Sequence, residues 1–219
     1  RLVKLFSMSA TGADDEEVIK YLKENGVIVS VGHSGASFEQ VQKAAKAGLS
    51  HATHTYNGMR GFNHRDPGVV GAVLVNDNIK AEIIFDKIHV HPEAVRLLFK
   101  AKGVDRVVCI TDAMCATGLE DGKYKLGELD VYVKNNQARL VSNDALAGSV
   151  LTLDKAFKNV IDLGYSIFDA VKMTSTNAAK EFGLESGTIE EGKIADLVIL
   201  DENYNVVMTI VKGEIKYQK

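Results

Sequence analysis

Apolar and polar positions alternate between two rhythms along the first half of this chain. Leu2 to Ala10, LVKLFSMSA, reads as a strand. DDEEVIKYLKEN follows with helical spacing, acids in its first turn and Gly26 just past its end. Val27 to Ser34, VIVSVGHS, is a continuous β-branched run, the mark of a strand buried on both faces. Ser37 and Gln40 have capping-box spacing ahead of FEQVQKAAKA, which Gly48 stops. LSHATH is the next predicted strand, and GVVGAVLVN, beyond a long loop to Pro67, reads as a helix or one turn of it. Lys80 to Val90, KAEIIFDKIHV, reads as a strand. Pro92 then opens the helix PEAVRLLFKAK, and Arg106 to Ala113, RVVCITDA, is a fifth strand.

Strand-helix units of this kind give parallel strands joined by right-handed crossovers. Two architectures fit that rhythm: an open doubly wound sheet, or part of a closed (β/α)8 barrel. A whole barrel takes roughly 250 residues, and only five units are legible here. From Gly118 to Leu146 the segments become short and Gly- and Asn-punctuated, as in a hairpin excursion. Two helices are expected next, SVLTLDKAFKNVIDLG and FDAVKMTSTNAAKEFG. The tail, IADLVILDENYNVVMTIVKGEIKYQK, alternates as a three-stranded antiparallel piece with turns near Asn203 and at Gly213. The reading divides the chain into a partial barrel over 1–186 and a β-sandwich segment over 187–219.

Composition narrows the function classes. With 46% hydrophobic and 25% charged residues, the 219-residue chain is ordinary for a globular protein. Its net charge of −3 offers no basic field for nucleic acid. No apolar run reaches membrane-spanning length, and RLVKLFSMSA lacks the core of a signal peptide. Cys109 and Cys115 form neither a CxxC nor a metal dyad. A reducing cytoplasm is the expected location. The chain opens without Met, directly in a strand-like run, so it is expected to begin partway through a domain.

The chemistry collects at strand ends. All six histidines fall between His33 and His91. VIVSVGHS runs out at His33, LSHATH at His54, KAEIIFDKIHV at His89 and RVVCITDA at Asp112. Parallel α/β folds bind ligands beyond the carboxyl ends of their strands, so these four side chains are expected on one rim. Imidazoles suit zinc or iron(II), and a nearby carboxylate can carry protons. Each residue also has a plainer reading. A lone His33 would be a satisfied core histidine, and Asp112 a turn cap. His89 would be an N-cap neighbour, and Arg65 a surface ion-pair partner of Asp66. His51 and His54 lie on opposite faces of a regular strand, so His51 is assigned to packing and His54 to the site. His91 is expected at a helix start and His64 in a loop.

The segments VGHSGASFEQV, THTYNGM, HRDPGVVGAVL, FDKIHVHPEAVRL, VCITDAM and SGTIEEGKIADLVILD together resemble the N-acetylglucosamine-6-phosphate deacetylases of the metal-dependent amidohydrolase superfamily. The GTIxxGKxADLVILD end is shared across the superfamily. The NGM stretch with Arg65-Asp66-Pro67-Gly68 is more specific. The resemblance implies the C-terminal portion of a TIM-like barrel with a small antiparallel sandwich piece. It implies hydrolysis of N-acetylglucosamine 6-phosphate to glucosamine 6-phosphate and acetate. His33 and His54 would hold a divalent metal, zinc or iron(II), and Asp112 would be the catalytic acid/base. Asn57, Gly58, Arg65 and His89 would bind the sugar phosphate, His89 as a neutral imidazole. Leu146, Ala147 and Gly148 would line the pocket. Arg65 would reach a neighbouring subunit's site in a homodimer. The family's glutamate ligand, in an HLEGP-like segment, has no counterpart in this sequence, so the isolated chain is expected to be inactive. The family's DGxH reads Asp86-Lys87-Ile88-His89 here. Another amidohydrolase, or a non-catalytic relative, is the alternative.

Overall fold

In the computed structural model, which describes residues 2–219, the chain divides into two compact units, one running to Ile110 and the other spanning Thr111–Lys219. The first unit is built on a five-stranded parallel sheet, in order β1 (Leu5–Met8), β2 (Ile28–Val31), β3 (His51–Ala52), β4 (Lys80–Ile84) and β5 (Val107–Ile110). Four helices connect the strands: α1 (Asp15–Glu24), α2 (Phe38–Ala47), α3 (Gly68–Val75) and α4 (Pro92–Lys102). Sequential order throughout is what right-handed βαβ crossovers produce when each new strand adds to the same edge. Val29, Val31, Ala52, Ala81, Ile83 and Val107 are buried, as a sheet covered on both faces requires. Edge strand β1 differs: Phe6 is exposed.

The α2 capping box forms as expected: Ser37 Oγ accepts from Gln40 N–H, and Gln40 Oε1 accepts from Ser37 N–H. His91 N-caps α4 through Nδ1, which accepts from Glu93 N–H at 3.2 Å. GVVGAVLVN is a helix. The strands are shorter than the sequence suggests. β3 holds two residues and β4 stops at Ile84, six short of the expected Val90. In the latter case a side chain takes over from the ladder: Asp86 Oδ1 accepts from the Ile88 and His89 N–H groups, each at 2.8 Å, and curls the chain out of the sheet.

The second unit carries two antiparallel sheets. β6 (Gly122–Leu126), β7 (Leu129–Lys134) and β8 (Gln137–Leu140) form a three-stranded meander where a hairpin was expected. Val131, Val133, Ala138, Met114, Ala116 and Ala147 form its small core. Of the two helices expected next, the first is α5 (Leu153–Asp162). The second is interrupted: α6 (Ile167–Val171) passes through a π-helical stretch, Lys172–Thr176, into α7 (Asn177–Phe182). The tail is the antiparallel sheet expected, β9 (Leu197–Leu200), β10 (Val206–Val211) and β11 (Glu214–Gln218), with β10 central. Among the described residues no helix is long and apolar enough to cross a membrane.

Candidate active site

At the carboxyl ends of β2 and β3 the chain turns sharply rather than running on. His33 lies two residues past β2 with φ 45°, and His54 two past β3 with φ 35°. L-residues avoid this left-handed region, and such outliers concentrate at functional sites. The consequence is an apposition. His54 Nε2 stands 3.0 Å from His33 Nε2, with the rings edge to face, centroids 4.7 Å apart. His54 is buried, whereas His33 is exposed.

Backbone packing makes the room. Gly32 lies against Ser7 Oγ and Thr53, where a Cβ would fall 2.7 Å and 3.0 Å from them. A Cβ on Gly58 would stand 2.8 Å from His33 Nδ1, so Gly58 backs the imidazole directly. Gly58 O accepts from Ser34 N–H and Asn57 N–H bonds His54 O, tying the two histidine turns together. Asn57 Nδ2 also donates to His54 O at 3.2 Å. Tyr56, at φ 82°, donates its hydroxyl to Ala94 O on α4 at 2.9 Å. Burial pushes that phenol up to about 12, so it stays a neutral donor. Tyr56 is not among the residues that strand-end position marks in the sequence. Its place inside TYNG, in a turn that must dock on a helix, was the available signal.

The histidine pair can serve one of two chemistries. As a direct hydrogen bond, one ring carries the proton and the other accepts it. As a metal pair, two nitrogens each about 2.0–2.1 Å from one ion, at angles between octahedral and tetrahedral, stand roughly 2.9–3.4 Å apart. The observed separation fits the second as well as the first, so the donor set suits a divalent ion. Among the described residues no third His, Cys, Asp or Glu completes a metal-binding group.

The other candidates fall as follows. His51 is fully buried in β3, and its pKa is lowered to about 4 by burial, with Lys80 adding to the effect. It is a neutral packing residue. His89 sits in the turn after β4, its Nδ1 2.6 Å from Asp86 Oδ2, both side chains largely buried. Burial pulls the Asp86 carboxyl up, but hydrogen bonds from His89 and Ile88 outweigh it and hold the group below its ordinary value. Asp86 was missed in the sequence as a partner of His89; a carboxylate three residues before a histidine in a turn was the clue. Arg65 is exposed, and its N–H bonds Asn63 Oδ1. The plainer reading, an Arg65–Asp66 ion pair, is not realised among the described residues. Asp66 pairs with Arg60 instead, at 2.5 Å, because the Asn63–Asp66 turn aims its carboxylate back across the loop. Cys109 is buried, and burial pushes its thiol up to about 12, so it is unreactive. An open depression of about 520 Å³, lined by Lys23, Ile28, Gly48, Ser50 and Asn78 among others, lies at the opposite ends of β2 and β3 and contains none of these candidates.

In the second unit, Asp112 is exposed at φ 51°. Its carbonyl accepts from Ser149 N–H at 2.8 Å, and Met114 N–H bonds Ser149 O at 2.8 Å. Gly148, at φ 61°, lies close enough that a Cβ would meet Asp112 O at 3.3 Å. Ala147 is buried and bonds Ala138 O, and Leu146 is half-buried. Structure therefore brings Asp112 together with Gly148, and His33 together with His54, Asn57 and Gly58.

Comparison with known proteins places this geometry in a family. The chain is 45% identical to the N-acetylglucosamine-6-phosphate deacetylase of Lysinibacillus sphaericus over 218 residues, 99% of this chain and 56% of the relative. It is 38% identical to the N-acetylgalactosamine-6-phosphate deacetylase of Escherichia coli O157:H7, over 91% of this chain and 53% of the relative. Among solved structures it matches an aspartate-to-alanine variant of the N-acetyl-D-glucosamine-6-phosphate deacetylase of Mycobacterium smegmatis, in complex with N-acetyl-D-glucosamine-6-phosphate. There the TM-score is 0.93 and the identity 33%, over 97% of this chain and 57% of that one. The chain thus spans little more than half the length of these relatives. The family model for amidohydrolases matches residues 8–216, and with the histidine turns at the strand ends this chain belongs to the amidohydrolase family.

Proposed function

We propose that this chain is the C-terminal portion of a metal-dependent deacetylase acting on N-acetylglucosamine 6-phosphate. The observation that carries the reading is the His33–His54 apposition at 3.0 Å, produced by two consecutive strand ends in a chain otherwise similar to such deacetylases. The five parallel strands are read as the last five of a (β/α)8 barrel, with the barrel part over 1–186 and a sandwich segment over 187–219. A divalent ion, zinc or iron(II), held by His33 and His54 would supply an activated water and polarise the amide carbonyl.

The remaining work belongs to the chain's own side chains. Asp112, exposed after β5, takes a proton from the attacking water and returns it to the departing amine, which leaves poorly unless protonated. Asn57, Gly58, Arg65 and His89 hold the phosphosugar, and Leu146, Ala147 and Gly148 line its pocket. Exposed Arg65 is free of the Asp66 ion pair, in keeping with a reach into a neighbouring subunit of a homodimer. Its planar fork suits a phosphate. Binding energy at the phosphate, remote from the amide, positions the carbonyl for attack.

The test is acetate release by the longest natural polypeptide carrying these residues. The expected result is metal near one equivalent, turnover of N-acetylglucosamine 6-phosphate, and much slower turnover of unphosphorylated N-acetylglucosamine. Asp112→Asn is expected to retain the metal and lose activity. Metal-free protein that releases no acetate would sink the reading. A second reading, the galacto epimer, is raised by the 38% identity to an N-acetylgalactosamine-6-phosphate deacetylase. The ratio of kcat/KM for the two phosphosugars separates them.

A further inference from the structure

The turn after β4 does more than place a histidine. All three hydrogen bonds to the Asp86 carboxylate come from its own turn: Ile88 N–H and His89 N–H to Oδ1, and the His89 ring to Oδ2. The arrangement is tight enough to keep Lys87 at φ 65°, a conformation its side chain disfavours. An ionised carboxylate accepts and cannot donate. The proton in the 2.6 Å contact therefore belongs to His89 Nδ1. A neutral imidazole carries one N–H, so Nε2 is left with a lone pair. It makes no other hydrogen bond among the described residues. A neutral His89 held this way has no hydrogen to give a phosphate oxygen. What it can do is accept from a hydroxyl.

We propose that Asp86 is the positioning residue for His89, fixing the Nδ1–H tautomer so that Nε2 accepts a hydrogen bond from a sugar hydroxyl of the substrate. The hydroxyl ligand rests on the deacetylase reading; the tautomer does not. An aspartate that orients a histidine in a hydrolytic site acts by the same logic, and its asparagine replacement presents the wrong tautomer.

Two measurements on different footings test this. Imidazole ¹⁵N shifts of the 219-residue chain at neutral pH should show His89 Nδ1 protonated and Nε2 bare. Asp86→Asn, nearly isosteric, turns an amide N–H toward the ring and should reverse the two. A wild-type ring protonated at Nε2 overturns the proposal. Kinetics on the longest natural polypeptide carrying these residues form the second arm. Asp86→Asn should raise KM for the phosphosugar about 10-fold or more with a smaller change in kcat, and Asp86→Glu should recover part of it. A reversed tautomer with unchanged KM shows Asp86 to be merely structural and overturns the positioning role. Wild-type protein that turns over no phosphosugar takes down the deacetylase reading and its hydroxyl ligand, while the nitrogen shifts still decide the tautomer.

Discussion

The turn at His33-Ser34 in the first unit and the turn at Gly148-Ser149 in the second are built on one plan. In each, a residue in the left-handed region precedes a buried serine. Ser34 Oγ donates to Ser9 O and accepts from Ala36 N–H at 3.1 Å. Ser149 Oγ donates to Thr111 O and accepts from Leu151 N–H at 3.0 Å. Each serine also forms a parallel bridge, Ser34 with Met59 and Ser149 with Ala113. The two differ in the residue ahead of the serine. At 148 the strained position is filled by glycine, which adopts φ 61° freely. At 33 it is filled by a histidine, against a cost of roughly 1–2 kcal/mol. The same backbone device serves a turn in one place and the delivery of an imidazole in the other. At this pair of turns, the strained residue is the one whose side chain meets a partner, His33 against His54.

The sharpest way to break this comparison is to remove what the strained turns deliver. In the longest natural polypeptide carrying these residues, His33→Ala and His54→Ala should each abolish tight metal uptake and, on the proposed function, lower acetate release by roughly 10³-fold or more, read by metal analysis and product assay. Gly148→Ala should leave metal content unchanged. Equal metal loss in all three variants would mean that the two corners do not divide the labour in this way.

A histidine with no delivery role gives the next largest effect. His51 has its folded pKa lowered to about 4, against roughly 6.5 when unfolded. The unfolded chain therefore binds the extra proton across that window, and stability rises with pH through it. The contribution is complete above about pH 6.5 and is lost as pH falls toward 4, to a total of roughly 3 kcal/mol. Denaturant melts between pH 7 and 4, with and without His51→Gln, should show a smaller acid loss in the variant. An unchanged slope would contradict the packing role.

The serines come next. Ser34→Ala and Ser149→Ala each strand a carbonyl and an N–H, and should cost about 1–3 kcal/mol apiece by denaturant midpoint. Similar costs confirm the shared plan; a cost at only one site would show the likeness to be superficial. Smallest are the backbone changes, which should have opposite signs. Gly148→Ala should destabilise by about 1 kcal/mol, with the nearby Asp112 carbonyl adding to the strain. His33→Gly should stabilise the metal-free chain by about 1 kcal/mol. A loss of stability in His33→Gly would show that the imidazole contributes to folding as well as to the site.

Much of this molecule is legible in one dimension. The apolar period and the Gly, Pro and Ser stops place the five strand-helix units. Ser37 with Gln40 forms its capping box, and the alternating tail forms its antiparallel sheet, because these signals act within a few residues of each other. Polar residues beyond the carboxyl ends of parallel strands mark the candidates His33 and His54. Legibility fails where a side chain competes with the ladder. Asp86 captures two N–H groups and ends β4 early, although KAEIIFDKIHV is strand-like throughout. It fails again where partners are chosen across a loop, as when Asp66 turns to Arg60 rather than to its neighbour Arg65.

By itself the sequence determined the order of elements, the burial of the parallel strands and the residue types waiting at their ends, since periodicity and capping are local and need no partner. Only the tertiary structure decided that His33 and His54 meet nitrogen to nitrogen, that Gly58 backs the ring, and that Ser34 and Ser149 play one part twice. Those outcomes depend on register between strands and on left-handed turns stabilised by distant carbonyls. Contacts between residues far apart in the chain leave no periodic trace in it.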